Sequence, residues 1–383
     1  MKLRILVMLV LLLIVAVASI GFSGVQQNRT FVTVDGPSLN AKMETAIRLG
    51  RSNSSTPFWT AYTFDVRPGI SVDAERRNFN GQTMLFSDTS IAIGTVNGIT
   101  AETRNLGVFL LHEQNNGNLT RVEIYNLDRK REYSGYPVYW LGRAGNEESL
   151  TYLRSLINPD QSTRISENLV VSIALHDDMR TAGILKDFIH NSTRQRMRST
   201  AVFWLGQIGG EQQFLMDIVK NERENTEVRK EAALSIGVSK DKNSILALQK
   251  LYGDVTSHEV KEQIIFAAYA NGDDRESLNF LIKTGESDSD REMRRKAIFW
   301  LGQKASQRTR ETMGSDGKDA DPETEVQKQA VFAVSQRRRD EAVPLLIKIA
   351  RTHPKAEVRK QAIFWLGQID DERALELFKE ILK

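Results

Sequence analysis

Phe203-Trp204-Leu205-Gly206-Gln207, Phe299-Trp300-Leu301-Gly302-Gln303 and Phe364-Trp365-Leu366-Gly367-Gln368 are one phrase written three times, and Tyr139-Trp140-Leu141-Gly142 is a shorter fourth copy. With the glycine of each phrase as a register mark and the gaps filled, marks fall at Gly142, Ala174, Gly206, Gly237, Tyr269, Gly302, Ser335 and Gly367. Successive marks lie 31 to 33 residues apart. A period this constant is the signature of a solenoid, in which each unit is too small to bury its own apolar face and stacks on its neighbours.

The last unit shows the plan. Val358, Ala362, Ile363, Trp365 and Leu366 recur at helical spacing. Asp370-Asp371-Glu372 then opens a second stripe of Leu375, Leu377, Phe378, Ile381 and Leu382. Two helices and a short turn are predicted per unit, with second helices such as Glu147 to Ile157, Ile245 to Tyr252, Arg275 to Ile282 and Ala342 to Ile349. One unit breaks the plan. After Gly302 the stretch Lys304 to Lys318 has Met313 as its only sizeable apolar residue and runs into the acidic Asp319 to Glu325, which predicts a frayed helix plus loop.

The order Val-Arg-Lys, small residue, Leu-Gly-Gln-Ile, two acids and a Leu-rich helix resembles the short HEAT repeats first named for the phycobilisome lyases, over roughly residues 134–383. The resemblance implies an armadillo-like α-solenoid of about eight units, a fold that mostly serves as a scaffold gripping other macromolecules. Fold alone does not fix function.

The whole chain has 383 residues, 40% hydrophobic and 26% charged, an ordinary globular balance that allows two domains. The formal charge is +3, and losing Lys2 and Arg4 with a leader takes it to +1, so no global field favours nucleic acid. Lys2 and Arg4 precede the apolar run Ile5 to Val15, and Ala16-Val17-Ala18 supplies small residues for cleavage, so residues 1–22 read as a secretory signal peptide. The apolar stretch continues to Phe22, long enough to serve instead as a membrane anchor. An exported, periplasmic or extracellular location follows. With no cysteine, disulfides, cysteine lipidation and thiolate metal sites are excluded. Asn-x-Ser/Thr triplets begin at Asn28, Asn53, Asn118 and Asn191 and are read as turn chemistry.

Residues 29–133 have period 2 in place of 3.6 and read as a small β-rich domain. Phe58, Thr60, Tyr62, Phe64 and Val66 alternate with Trp59, Ala61, Thr63 and Asp65 before the turn Arg67-Pro68-Gly69, and Thr83 to Ile93 is a second strand region. Val108 to Glu113 and Leu119 to Tyr125 flank Asn116-Gly117 as a β-hairpin. Ser38 to Leu49 predicts a short helix with Leu39, Met43, Ala46 and Ile47 on one side. Pro137 marks the start of the first repeat helix, carrying Tyr-Trp-Leu-Gly as an N-terminal cap of the array.

Nothing in the sequence predicts catalysis or a bound cofactor. His112, His176, His190, His258 and His353 show no metal-ligand spacing on a helix face. A hydroxylase of this repeat superfamily binds two irons through His-Glu pairs on its repeat helices. Here one such pair, His112-Glu113, lies outside the array and a single one, His258-Glu259, lies within it, and no residue marks a lyase's chromophore site. Nucleophile elbow, phosphate loop and dinucleotide fingerprint are absent. Asp316, Asp319, Asp321 and Glu323 match no standard calcium loop and read as a solvated loop.

Aligning the first helices exposes columns that a single repeat hides. Three residues before the mark stand Phe203, Leu234, Phe266, Phe299, Phe332 and Phe364, a position that the family resemblance places on the concave face. Beside it lie Arg295, Lys328 and Lys360 seven before the mark, and Gln303 and Gln368 one after it. An aromatic stripe flanked by Arg, Lys and Gln is the composition of a groove for a protein or peptide, while the same spacing also fits phenylalanines packed between units. Trp204, Trp300 and Trp365 are assigned to the core. The column eight before the mark, Arg198, Arg229, Lys261, Arg294, Gln327 and Arg359, reads as an inter-repeat ladder with nearby acids. The expected function is an exported scaffold binding a protein or peptide partner, without catalysis. The alternative is a self-associating component of the cell envelope, in which the final unit, ending at Lys383, offers its edge. A lyase-like or hydroxylase-like enzyme is the least supported.

Overall fold

The computed structural model describes residues 31–72, 79–86, 89–96, 103–158, 161–239, 241–272, 275–313 and 322–383. The expected signal or anchor, 1–22, lies outside them, as does Asn28. Among the described residues no helix is long and apolar enough to cross a membrane. The chain divides between Leu185 and Lys186 into two compact units.

The first unit is built on a mixed sheet in the order β1 (Phe31–Thr33), β8 (Val138–Arg143), β2 (Phe58–Thr63), β6 (Leu106–His112), β7 (Leu119–Asn126). β1 and β2 run parallel to β8, and β2, β6 and β7 are antiparallel neighbours. A second sheet has the order β3 (Ile70–Val72), β5 (Thr89–Val96), β4 (Phe79–Phe86). The predicted hairpin is β6 and β7, closed by Glu113 N donating to Asn118 O at 2.9 Å, with Gly117 at φ +76°, where a side chain is strained. Helix α1 (Leu39–Asn53) starts where Ser38 accepts from Ala41 N, and it buries Leu39, Met43 and Ala46.

β2 is a central strand, and both its faces are covered. Trp59 and Ala61 pack with Phe109, Tyr125 and Val138 on one side. On the other, Thr60 Oγ1 meets His112 Nε2 at 3.0 Å, and Tyr62 Oη meets Ser149 Oγ at 2.9 Å. Its alternation therefore records two environments, one aromatic and one polar, both buried.

Tyr139-Trp140-Leu141-Gly142 is not a repeat helix. It is the strand β8, inserted between β1 and β2. The physical reason lies upstream: the helical copies are preceded by a turn of apolar and basic helix formers, whereas this copy follows Tyr136-Pro137, which leaves too few residues for a helix before Gly142 turns at φ +75°. Helices α2 (Asn146–Ser155), α3 (Thr163–Ala174) and α4 (Arg180–Asn191) follow, and the division between units falls within α4.

The second unit is helical. First helices are α5 (Gln195–Ile208), α7 (Thr226–Val238), α9 (His258–Ala270), α11 (Arg291–Met313), α12 (Pro322–Ser335) and α14 (Ala356–Gly367). Second helices are α6 (Gln212–Lys220), α8 (Ser244–Asp254), α10 (Arg275–Ser287), α13 (Arg339–Thr352) and α15 (Glu372–Leu382). α5, α7, α9 and α11 stack in chain order with a fixed register, each mark meeting the residue two before the next mark. A Cβ on Gly206 would lie 2.6 Å from the Ser235 side chain, one on Gly237 would lie 2.5 Å from Ala267 O, and the Tyr269 ring sits 4.5 Å from that of Trp300. The recurrent glycine is thus a contact point where two helices approach too closely for a side chain.

The frayed segment expected after Gly302 is not found as far as Met313. α11 runs on as one helix of 23 residues. Lys304 is buried, with its ammonium donating to Gly272 O and lying 5.3 Å over the Tyr269 ring, while Ala305 and Ser306 are also enclosed. A lysine stem supplies apolar contact that a count of apolar residues overlooks. Residues 314–321 lie outside the description, with Asp316, Asp319 and Asp321 among them.

Stacking order departs from chain order at this point. α14, not α12, takes the place beside α11, with α15 against α10 and α11, and α12 lies on the other side of α14. Gly302 and Gly367 meet directly: a Cβ on Gly302 would stand 2.9 Å from Gly367 Cα. The final unit's edge, expected to be free, is therefore covered within the chain.

Candidate partner groove

The arginine column works differently from the expected ladder of acids. Arg229 Nε donates to Val219 O at 2.9 Å, Arg198 Nε to Ile189 O at 2.7 Å, and Arg294 Nη1 to Asp288 O at 2.6 Å. Each reaches the carbonyl end of the preceding second helix, where the helix dipole is negative and backbone acceptors lack intrahelical donors. Arg198 also pairs with Glu224. This column fixes helix to helix and leaves the neighbouring column for the surface.

That neighbouring column is basic in four of the six first helices, with Ser199 on α5 and Glu262 on α9 as the exceptions. Lys230, Arg295, Lys328 and Lys360 each pair with the acid three residues earlier, at 3.0, 3.0, 2.8 and 3.5 Å from Glu227, Glu292, Glu325 and Glu357. The pairs contribute little stability, because both partners are solvated to a large degree. They hold the basic heads in place along one edge of the first helices.

A groove of about 810 Å³ opens between α7, α9, α11 and the end of α14. Phe266, Phe299 and Trp300 line it as a connected aromatic group, with Phe266 4.8 Å and Phe299 4.8 Å from the Trp300 ring. Lys230, Arg295, Lys296, Glu259 and Glu262 form its charged rim, Lys296 bridging to Glu262 at 2.9 Å, and Gly367-Gln368 closes one end. Glutamine 368 is exposed and Arg295 is exposed, while the three rings are half-buried.

Of the residues singled out in the sequence, Phe266, Phe299, Arg295 and Gln368 are brought together here. Phe203 is buried against Trp204, ring centroids 5.7 Å apart, and presents little surface. Phe332 and Lys328 on α12, and Phe364 and Lys360 on α14, are not among the groove's lining residues, and Phe332 and Phe364 each stand 5.2 Å from Trp365. Gln303 follows Gly302 into the α11/α14 contact, and its Nε2 is enclosed with no hydrogen-bond partner. Trp204 is core as expected, but Trp300 and Trp365 are only half-buried and belong to the aromatic surface. Trp300 was legible as a repeat residue and not as a groove residue.

The perturbed ionisable groups lie elsewhere. In the first unit Ser149 Oγ stands 2.7 Å from His176 Nε2, and His176 Nδ1 stands 2.8 Å from Ser172 O. A carbonyl only accepts, so Nδ1 carries the proton, Ser149 donates to Nε2, and Tyr62 donates to Ser149. Burial lowers the His176 pKa to about 4 and pushes the Tyr62 hydroxyl well above its usual range. All three side chains are enclosed, with Phe64 stacked 4.1 Å over the imidazole, so no substrate reaches the serine. The chain of hydrogen bonds ties β2 to α2 and α3. On α7, burial raises the Glu231 carboxyl to about 7, with Glu227 adding to the shift. Among the described residues no group of three or more potential ligands is placed to hold a metal ion.

Residues 318–383 match the family model described as HEAT repeats. The helices α12 to α15 fall within the match, and α5 to α11 repeat the same two-helix unit at the same register. Among solved structures, the chain is similar to human deoxyhypusine hydroxylase in complex with glycerol, at 15% identity and a TM-score of 0.31, over 62% of this chain and 94% of that one. No curated protein matches the chain.

Proposed function

We propose that this protein is a scaffold of the short, phycobilisome-lyase-like HEAT type, exported from the cytoplasm, which holds a segment of a protein partner along its repeats without catalysing a reaction. The observation that supports it is the groove: three joined aromatic rings, a rim of paired charges and Gln368 at one end, open to solvent, a surface of the kind that takes an extended or helical peptide. Half-buried aromatic rings that a partner would desolvate are the kind of feature that supplies binding energy, and the charged rim sets register and excludes wrong partners. Export rests on Lys2, Arg4, Ile5 to Val15 and Ala16-Val17-Ala18.

The test is site-specific photocrosslinking in the native host, with the crosslinker placed at Phe299, at Gln368 and, as a control, at Leu246, which is exposed on α8 away from the groove. Adducts that share one partner segment at Phe299 and Gln368, absent from Leu246, are expected. Equal labelling at all three positions, or none, refutes the groove reading. Export is checked separately by N-terminal sequencing and by protease accessibility in intact cells.

A further inference from the structure

Helix α12 carries a stacking face that nothing among the described residues covers. Nine residues before the mark, Met197, Val228, Val260, Met293 and Val358 are between 0% and 3% exposed, whereas the equivalent Val326 is 64% exposed. Ala330 and Ala333 are exposed as well, although their counterparts Ala232 and Ala267 are fully buried. The cause is the stacking order, since α14 occupies the position beside α11 that α12 takes in a regular array. A face with the composition of a core is left in solvent, which is the situation that drives association.

We propose that this face is covered by a second copy of the chain, α12 packing antiparallel on α12 across a two-fold axis near Ala330. Three observations lead there. The chain already packs like on like, because Gly302 and Gly367 hold the same register position and meet face to face. α12 begins with Glu323 and Glu325 and is followed by exposed Arg337 and Arg338, so an antiparallel pair sets acids against arginines at both ends, whereas a parallel pair sets like charges together. Arg338, which bonds its own Asp340 at 3.1 Å, remains exposed for this. Finally, Ala330 at the axis and Ala333 one turn on permit close approach, with Val326 one turn before them on the same face. A front-to-back contact with α11 of another copy would need α14 to leave. The groove residues take no part, so the inference stands independently of the proposed function.

The chain has no cysteine, so a single introduced one reports only contacts between copies. In the full-length protein, A330C under mild oxidation is expected to form a disulfide-linked dimer, whereas L246C at another exposed site stays monomeric. Adding V326E to A330C should remove the dimer with the far-ultraviolet circular dichroism unchanged. Sedimentation of the unmodified chain should show mass rising with concentration and the midpoint moving to higher concentration in 0.5 M salt. The proposal is overturned if A330C cross-links no better than L246C, if V326E leaves its cross-linking intact, or if A330C is monomeric and shielded from maleimide, which would mean that the face is covered within one chain.

Discussion

Replacing Gly237 by alanine should destabilise the helical unit, against the ordinary effect of that substitution in a helix. In isolation the change favours the helix by about 1 kcal/mol, because alanine loses less backbone freedom on folding. Here the added Cβ would stand 2.5 Å from Ala267 O and 2.8 Å from the Ala267 side chain, closer than such atoms approach, and the blocking group is backbone on α9. α7 and α9 must then separate by several tenths of an ångström along their length. Overpacking of this kind costs about 1–3 kcal/mol. Since the obstacle is rigid the upper half of that range applies, and the net loss is about 1–2 kcal/mol. The internal control is Gly253 in α8, where nothing lies within 4 Å of an added Cβ, so G253A should gain up to about 1 kcal/mol. Urea unfolding followed by circular dichroism gives both midpoints, with equal slopes as the check that only stability has changed. A G237A midpoint equal to or above that of the unmodified protein would refute the close-contact explanation of the repeated glycine.

Further outcomes follow from other contacts. Burial holds His112 and His176 neutral in the fold, each with its pKa lowered to about 4 from 6.5. The unfolded chain therefore binds more protons between those values, and stability contributed by the pair is present above about pH 6.5 and is lost as pH falls towards 4. The loss is on the order of 3 kcal/mol per imidazole, and an H176N variant should show a shallower decline in urea midpoint over that window. S149A should cost about 2–3 kcal/mol and Y62F about 1 kcal/mol, because only the first leaves two buried groups without partners; equal losses would contradict the assigned direction of the hydrogen bonds. R229A removes a donor to Val219 O and the packing of a buried stem, with an expected loss of about 2 kcal/mol. R295A should leave stability within about 0.5 kcal/mol, because its pair with Glu292 is exposed, while weakening capture of the crosslinked partner segment.

Helix and strand signals were legible wherever periodicity ran long enough. The hairpin around Gly117, the capped helix α1 and the two-helix unit all follow from local pattern. Tyr139 to Gly142 misled because four residues carry no period of their own, and the proline before them decides the matter. The groove was half legible. The column containing Phe266 and Phe299 and the basic column with Arg295 follow from register, but the exposure of Trp300 and the enclosure of Gln303 depend on which helix comes next in space.

By itself the sequence determined the repeat, its length, the two helices of each unit and the residues that face each neighbour, because these are set by 3.6-residue periodicity and by the need of each unit to bury an apolar face. The order in which the units stack was decided only in tertiary structure. Similar units carry similar faces, so α11 meets a suitable surface on α14 as well as on α12, and nothing local in the chain distinguishes the two. That choice joins Gly302 to Gly367, closes the groove at Gln368 and leaves Val326 in solvent.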